Sequence, residues 1–395
     1  MLEGRNILLG ITGSIAAYKS ADIAKRLIDE GADIHVVMTD TATRFITPYT
    51  LEALTGNPVC PGLFEDTFSH INLSKNADLF LIAPITANTI NKLTCGIADN
   101  LLSNLWLTYE GPVLMAPAMN ERMYRHAIVQ NNIKLLRKTG VNFVGPVSGS
   151  LACGDEGVGK MAEVSSIVEA AVAALTHKDL KGYALLVTAG PTREAIDPVR
   201  YISNRSSGKM GYALACAANR RGARVTLISG PSSETPPESV SLISVETASE
   251  MEKAVMKYAS GANVLIMSAA VSDFSPSTKA KVKYDKADIN LLKLKRTTDI
   301  IRKVGLQKKK PFLVGFAAET GRHIDRARKK IKDKHLDLIV LNDVFHEGAG
   351  FEVDTNIVTI LDKKGNSTEY PQMKKIDVAN VILDKIAGMH PRREK

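Results

Sequence analysis

The sequence predicts an α/β protein built as two doubly wound, Rossmann-like domains in series. Three observations carry this reading. The chain has 395 residues, too long for one ordinary hydrophobic core. Its halves begin alike, since Asn6 to Gly13 and Tyr183 to Gly190 are apolar runs that end in a glycine-containing turn and lead toward a helix. Later, EGADIHVVMTD and RGARVTLISGP each stop a helix at glycine and start a new strand. Such alternation gives parallel sheets covered on both faces, with ligands at the strand carboxyl ends. The likeness of the halves is one of plan and not a sequence repeat. The break falls at THKDLKG, Thr176 to Gly182, a polar stretch after the alanine-rich helical segment Val164 to Leu175. The expected domains are residues 1–177 and 182–395.

Composition bounds the function. Apolar content is 45%, ordinary for a soluble globular chain. No apolar run approaches the ~20 residues that span a bilayer. The start, NILLGITGSIAAYKSADIAK, reads as strand, loop and helix rather than as a signal peptide. Cys60, Cys95, Cys153 and Cys216 show neither metal spacing nor a disulfide framework, so a reducing cytoplasm is the expected location. Metal ligands are not identifiable.

The elements are then justified in order. In GITGSIAAYKSADIAKRL, Gly10 and Gly13 do not make the GxGxxG dinucleotide pattern, which weakens a dehydrogenase reading. The turn still aims Ser14, its amides and a helix N-terminus at a phosphate. Thr39 closes the next strand, and APITANT and CGIADNLLS supply more polar loop ends. His70, in SHINLS, lies just ahead of the strand-like segment Ala77 to Ala83. A lone histidine is most often structural, but near its ordinary pKa it can act as a base or orient a thiol or carboxylate. The apolar run Pro112 to Ala116 reads as a buried strand, and PAMNERMY follows it. There Asn120 offers an amide whose NH2 can hold a carboxylate; the plainer role is a cap on a helix starting at Glu121. ACGDEGVGKM, Ala152 to Met161, holds three glycines in a short span. Such density argues against helix or strand and for a mobile flap with Cys153 at its base, the plainer reading being a surface loop.

These three segments resemble the flavin-dependent cysteine decarboxylases, and most closely the phosphopantothenoylcysteine decarboxylases, through the histidine, the PxMNxxM segment and the ACGxxG flap. The resemblance runs through the first 175 or so residues and implies a flavodoxin-like flavoprotein domain. Tyr124 departs from the Trp often found after the motif, and Lys160 from a frequent Arg after the flap. The resemblance assigns FMN to Gly13, Ser14, Thr39, Thr86, Ala87, Asn88, Thr89, Asp99, Asn100, Leu101 and Leu102, at a subunit contact of a trimer. It implies oxidation of the substrate thiol, so that loss of CO2 has an electron sink, followed by return of the hydride. Asn120 would hold the carboxylate, His70 would be the base or orient the thiol, and Cys153 would deliver the final proton.

The second half carries a different signature. GPTREAIDPVRYISNRSSGKMG, Gly190 to Gly211, is rich in turn formers and has no Walker pattern, yet it leads into a helix, Tyr212 to Arg221, whose N-terminus can receive phosphate. SAAVSDF ends a strand with Asp273; KAKVKYDK, TTDII, GFAAET and a basic helix from Arg326 to Lys334 follow. This half resembles the phosphopantothenate–cysteine ligases over most of Gly182 to Ala387, chiefly through DPVRYISNRSSGKMG. The order of the halves is that of the bacterial fusion of the two activities. The resemblance implies a bifunctional enzyme of coenzyme A synthesis that uses CTP and Mg2+ to join 4'-phosphopantothenate to L-cysteine through an acyl-cytidylate. By motif, Asp273, Lys281, Lys283, Thr298, Asp299, Ile300, Ile301, Phe316, Lys330 and Lys334 would contact CTP. Asn204 would hold the acyl-cytidylate, and Lys281 would be the catalytic cation. Tyr284 departs from a second Lys frequent in this motif.

The net charge of +9 has other readings. A lysine run is usually a solvated face, and basic patches bind nucleic acid without sequence preference. The run lacks interleaved aromatics for base stacking, and LLKLK suggests a strand exposing alternate lysines. A nucleic-acid-binding flavoprotein and a nicotinamide dehydrogenase therefore stand as the second and third classes. The leading reading expects neither nucleic acid nor membrane as partner. By analogy it expects a homo-oligomer, trimeric through the flavin domain and dimeric through the ligase domain, closing into a dodecamer.

Overall fold

Strand β1 (Asn6–Ile11) is apolar and buried on both faces after its first residue, as the centre of a parallel sheet requires. In the computed structural model, the described residues are 2–59, 69–150, 154, 156–237, 239–285, 291–319, 324–343, 350 and 353–391. They fall into two compact units, Met1–Thr176 and His177–Lys395.

In the first unit β1 is followed by a 3-10 turn, Ile15–Lys19, and then α1 (Ser20–Asp29) and β2 (Asp33–Met38). The chain continues through α2 (Pro48–Thr55), α3 (Ser69–Asn76), β3 (Leu79–Ile85), α4 (Ala87–Thr94), α5 (Leu101–Thr108), β4 (Val113–Pro117), α6 (Glu121–Arg125), α7 (Ala127–Lys138) and β5 (Asn142–Phe143). A hairpin of β6 (Val147–Ser150) and β7 (Glu156–Lys160) and a last helix, α8 (Val164–Leu175), complete it. The main sheet is parallel in the order β2-β1-β3-β4-β5. This is the flavodoxin-like order, whose topological switch point lies between β1 and β3. Ile23 and Leu27 on one face of α1 are fully buried against the sheet, each stabilising by roughly 1.5–3 kcal/mol.

The second unit opens with β8 (Ala184–Ala189), the short hairpin β9 (Arg193–Ala195) and β10 (Tyr201–Ser203), then α9 (Lys209–Arg220), β11 (Arg224–Ser229), β12 (Ser241–Ser244) and α10 (Ala248–Ala259). It proceeds through β13 (Val264–Met267), β14 (Phe274–Pro276), β15 (Leu294–Arg296), α11 (Ile300–Gly305), β16 (Phe312–Glu319), α12 (Ile324–Lys334), β17 (Leu338–Asp343), β18 (Thr355–Asp362), β19 (Ser367–Lys374) and α13 (Lys375–Met389). The sheet order is β12-β11-β8-β13-β16-β17-β18-β19, parallel as far as β17 and antiparallel beyond it. The parallel part has the dinucleotide-fold order, with its switch point between β8 and β13.

Several local expectations change. β7 forms despite its glycines, because the hairpin pairs them and they allow a close approach described below. Asp273 lies in a loop six positions beyond the end of β13 rather than closing that strand. The LLKLK segment yields only the three-residue β15, exposed at every position, so no buried face alternates with its lysines. The helix after Gly208 starts at Lys209, three residues early.

Candidate functional site

In the first unit, polar side chains gather where β1, β2 and β3 end. Thr12, fully buried, stitches two of these ends: its Oγ1 donates to Pro84 O at 2.9 Å and accepts from Thr86 N at 3.0 Å. The sequence reading missed Thr12; the signal is a hydroxyl immediately after the apolar strand. Gly13 follows, and a Cβ there would run into the Thr41 hydroxyl. Thr41 Oγ1 lies 3.2 Å from Thr39 Oγ1, and Thr39 N donates to Ile11 O at 3.0 Å. The end of β2 is thereby held beside Gly13.

The remaining positions of this set are mostly helix starts. Ser14 is extended (φ −134°, ψ 151°), and its Oγ accepts from Ala16 N at 3.3 Å, capping the 3-10 turn. Thr86 caps α4 by accepting from Thr89 N at 3.4 Å. Ala87 and Thr89 are buried and Asn88 is exposed. Asn100 and Ser103 make a reciprocal capping box on α5, at 3.0 and 3.1 Å. Asp99 is exposed and ion-paired with Lys92, which holds its carboxyl below the usual range. The side chains of Leu101 and Leu102 point into the core, which leaves their backbone amides for a ligand. The set is rich in hydroxyls that cap through a lone pair and keep a proton to donate. Its one acidic member is neutralised by Lys92. Such a donor set fits a phosphate-bearing cofactor at the switch point.

Asn120 follows β4 and caps α6, its Oδ1 accepting from Arg122 N at 2.8 Å. The flap hairpin lies directly on this loop. Met119 N donates to Gly159 O at 3.0 Å. A Cβ on Gly159 would collide with the Met119 carbonyl, and one on Gly157 with the Glu121 carboxylate. The two glycines are what permit β7 to dock beside Asn120. His70 lies in α3, but its side chain falls outside the described residues, as does Cys153 entirely.

In the second unit, the loops at the β8/β13 switch point are tied together. Asn204 Nδ2 donates to Ala270 O and Val271 O, both at 3.2 Å. Thr297 N donates to Asp273 O at 3.0 Å. Lys281 and Lys283 are exposed on the next loop. Asp197 anchors that loop: it is 2% exposed and accepts from Val199 N, Arg200 N and Tyr284 N at 2.7, 2.8 and 3.4 Å. The sequence reading missed Asp197, although its Asp-Pro turn was a signal. Thr298 is exposed, and Asp299 caps α11 through Arg302 N at 3.2 Å while pairing with Lys334 at 3.0 Å. Ile300 and Ile301 bury their side chains. Lys330 is half-buried on α12. Phe316, on β16, lines a pocket shared with Lys209, Asn342, Asn356 and Lys375. None of those four was read from the sequence. Among the described residues, no cluster of three or more His, Cys, Asp or Glu side chains gathers to hold a metal ion, and no helix is long and apolar enough to cross a membrane.

Comparison with known proteins matches the chain in two parts. Residues 1–176 match the family described as Flavoprotein, and residues 180–389 match the DNA/pantothenate metabolism flavoprotein C-terminal domain. The Coenzyme A biosynthesis bifunctional protein CoaBC of Bacillus subtilis (strain 168) is 46% identical, covering 98% of each chain. Its namesake from Escherichia coli (strain K12) is 43% identical over 100% of this chain and 99% of its own. A crystal structure of the C-terminal domain of a protein of that name is 41% identical, with a TM-score of 0.47, over 54% of this chain and 97% of that one.

Proposed function

This chain belongs to the family of bifunctional coenzyme A biosynthesis proteins, a flavoprotein decarboxylase joined to a ligase, and we propose the following division of labour. The second unit joins 4'-phosphopantothenate to L-cysteine at the expense of CTP. The first unit decarboxylates the product to 4'-phosphopantetheine.

In the ligase step the phosphopantothenate carboxylate attacks the α-phosphorus of CTP. A carboxyl–phosphorus bond forms, the α–β anhydride breaks, and pyrophosphate leaves. Two anions meet, so cations must lower the barrier. Lys281 and Lys283 supply that charge, and Mg2+ carried on the CTP phosphates would add to it. Asp273, Thr298, Asp299, the backbone of Ile300 and Ile301, Phe316, Lys330 and Lys334 hold the nucleotide. Asn204 holds the acyl-cytidylate while the cysteine amine attacks its acyl carbon, the amide forms, CMP leaves and the amine proton passes to solvent.

In the decarboxylase step, FMN when bound would supply a hydride acceptor and donor, so that oxidation of the substrate thiol to a thioaldehyde gives the departing carboxylate's electrons a sink. Gly13, Ser14, Thr39, Thr86 to Thr89 and Asp99 to Leu102 would hold it. His70 orients the thiol or takes its proton. Asn120 Nδ2 donates to the substrate carboxylate, and Cys153 delivers the last proton to carbon. The docking of β7 on the Asn120 loop carries this reading, because it supports bringing the flap that bears Cys153 to the carboxylate-binding amide. Groups of this kind contribute about 10²–10⁴ in rate. Cys153→Ser should leave the purified protein yellow, bleach it on adding phosphopantothenoylcysteine, and yield little saturated product. Normal amounts of phosphopantetheine from that variant would remove Cys153 as the proton donor.

A further inference from the structure

The turn of the β9–β10 hairpin holds a charge that its own geometry does not explain. Asp197 and Pro198 open that turn, as residues of these types commonly do. Asp197 Oδ1 accepts from Val199 N at 2.7 Å and from Arg200 N at 2.8 Å. One side-chain oxygen therefore makes the turn, and an asparagine would serve there equally well. Yet the Asp197 side chain is fully buried, and burying a carboxylate costs far more than burying an amide. The second oxygen, Oδ2, is where that cost can be recovered. It accepts from Tyr284 N at 3.4 Å, with the Arg200 guanidinium 3.9 Å away.

Tyr284 ends a short segment that the turn clamps at both ends. At the first end, Ala280 N donates to Ile196 O at 3.0 Å. At the second, Tyr284 N donates to Asp197 Oδ2, and Tyr284 O accepts from Arg200 Nη2 at 3.4 Å. Lys281 and Lys283 lie between the two clamps. Both are exposed, so the backbone of the segment sets where their side chains start. Tyr284 enters the clamp through backbone atoms, and its departure from lysine therefore leaves the clamp intact. The same hairpin runs on through β10 into Asn204, which is tied to Ala270 O and Val271 O. One hairpin thus fixes the lysine segment and the Asn204 amide relative to each other.

We propose that Asp197 is a positioning residue of the ligase step: its Oδ1 builds the turn, and its Oδ2 holds the segment that carries Lys281 and Lys283. The inference rests on the ligase reading above, in which those lysines offset the charge of two meeting anions. Asp197→Asn separates the two roles. Two short bonds outweigh one long one, so the amide oxygen should stay with the turn. Its NH2 would then face the Tyr284 N–H, donor against donor. The test uses the full chain and follows pyrophosphate release from CTP, phosphopantothenate and cysteine, with CO2 release from phosphopantothenoylcysteine as the control. Asp197→Asn should keep the melting temperature and the CO2 rate, and lower kcat for pyrophosphate release by about tenfold. Trypsin should cut it faster than wild type after Lys281 and Lys283. Asp197→Ser, whose hydroxyl can also make the turn, serves if Asp197→Asn does not fold. In a chain already carrying Lys281→Met and Lys283→Met, Asp197→Asn should cost less than about twofold more, because it acts through those lysines. An unchanged kcat in the single variant would overturn the proposal, and so would a further loss of about tenfold in the lysine-free background. A wild-type chain that makes no pyrophosphate from CTP with phosphopantothenate present would remove the ligase reading, and this proposal with it.

Discussion

The two units share a sheet plan and keep their polarity in different places. In the first, the candidate side chains at the strand ends are spent on short-range work: Ser14, Thr86, Asn100 and Asn120 each cap the turn or helix that follows. In the second, Asp299 caps α11 in the same way, but other polar groups also act over long range. Asn204 reaches two carbonyls 66 and 67 positions away, and Asp197 holds a loop 87 positions away. A site made of caps is rigid because each helix fixes its own first turn. A site made of tied loops is rigid only while its ties hold.

Substitutions that strike one unit should therefore spare the other. The largest effect is expected from Gly159→Val, whose side chain would drive β7 off the Met119 carbonyl. Misplacing the flap by about 1 Å should cost roughly 10²-fold in CO2 release, with pyrophosphate formation from CTP unchanged. An equal loss in both assays would show that the units do not work separately. Asn204→Ala removes the tie at the second switch point. It should lower ligase turnover by tenfold or more, on the order of one lost transition-state donor, and leave the flavin absorbance per chain untouched.

Smaller effects concern stability. Arg221, 8% exposed at its side chain, grips Asp179 in bidentate fashion, at 2.9 and 2.5 Å. Burial alone would raise the Asp179 pKa, but the Arg221 hydrogen bonds and charge outweigh it and hold the value low. A depressed carboxyl contributes stability that is full above its unfolded value of about 3.9 and is lost as pH falls through the folded value. Asp179→Asn should cost about 1.5 kcal/mol at pH 7, a cost that shrinks as pH falls below the carboxyl's unfolded value, read as the hydrogen-exchange protection of β8 amides. Last, Asn100→Ala should cost about 1 kcal/mol in the protection of α5 alone, and speed loss of FMN on dilution.

The same contrast explains what was legible in the sequence. The alternation of strands and helices and the Asn120 cap follow from patterns a few residues long, and so does α8, read as a helix over the bounds it adopts. The strand in EGVGK was not legible, because its glycines look like breakers until Met119 and Glu121 are seen pressed against them. Asn342 and Asn356 were missed for a related reason. Each ends or opens an aliphatic row, and only pairing β17 with β18 puts the two amides on one face. Asp197 was passed over because its partner at Tyr284 lies on a distant loop.

The claim at the centre of this account is that one chain holds two separate sites working in sequence. It is tested most directly by supplying phosphopantothenate, CTP, Mg2+ and carboxyl-labelled cysteine to the purified protein, and counting labelled CO2 against pyrophosphate. The account predicts one CO2 for each pyrophosphate at completion, with CO2 alone abolished once the flavin is stripped. Undiminished CO2 from colourless, flavin-free protein would contradict it.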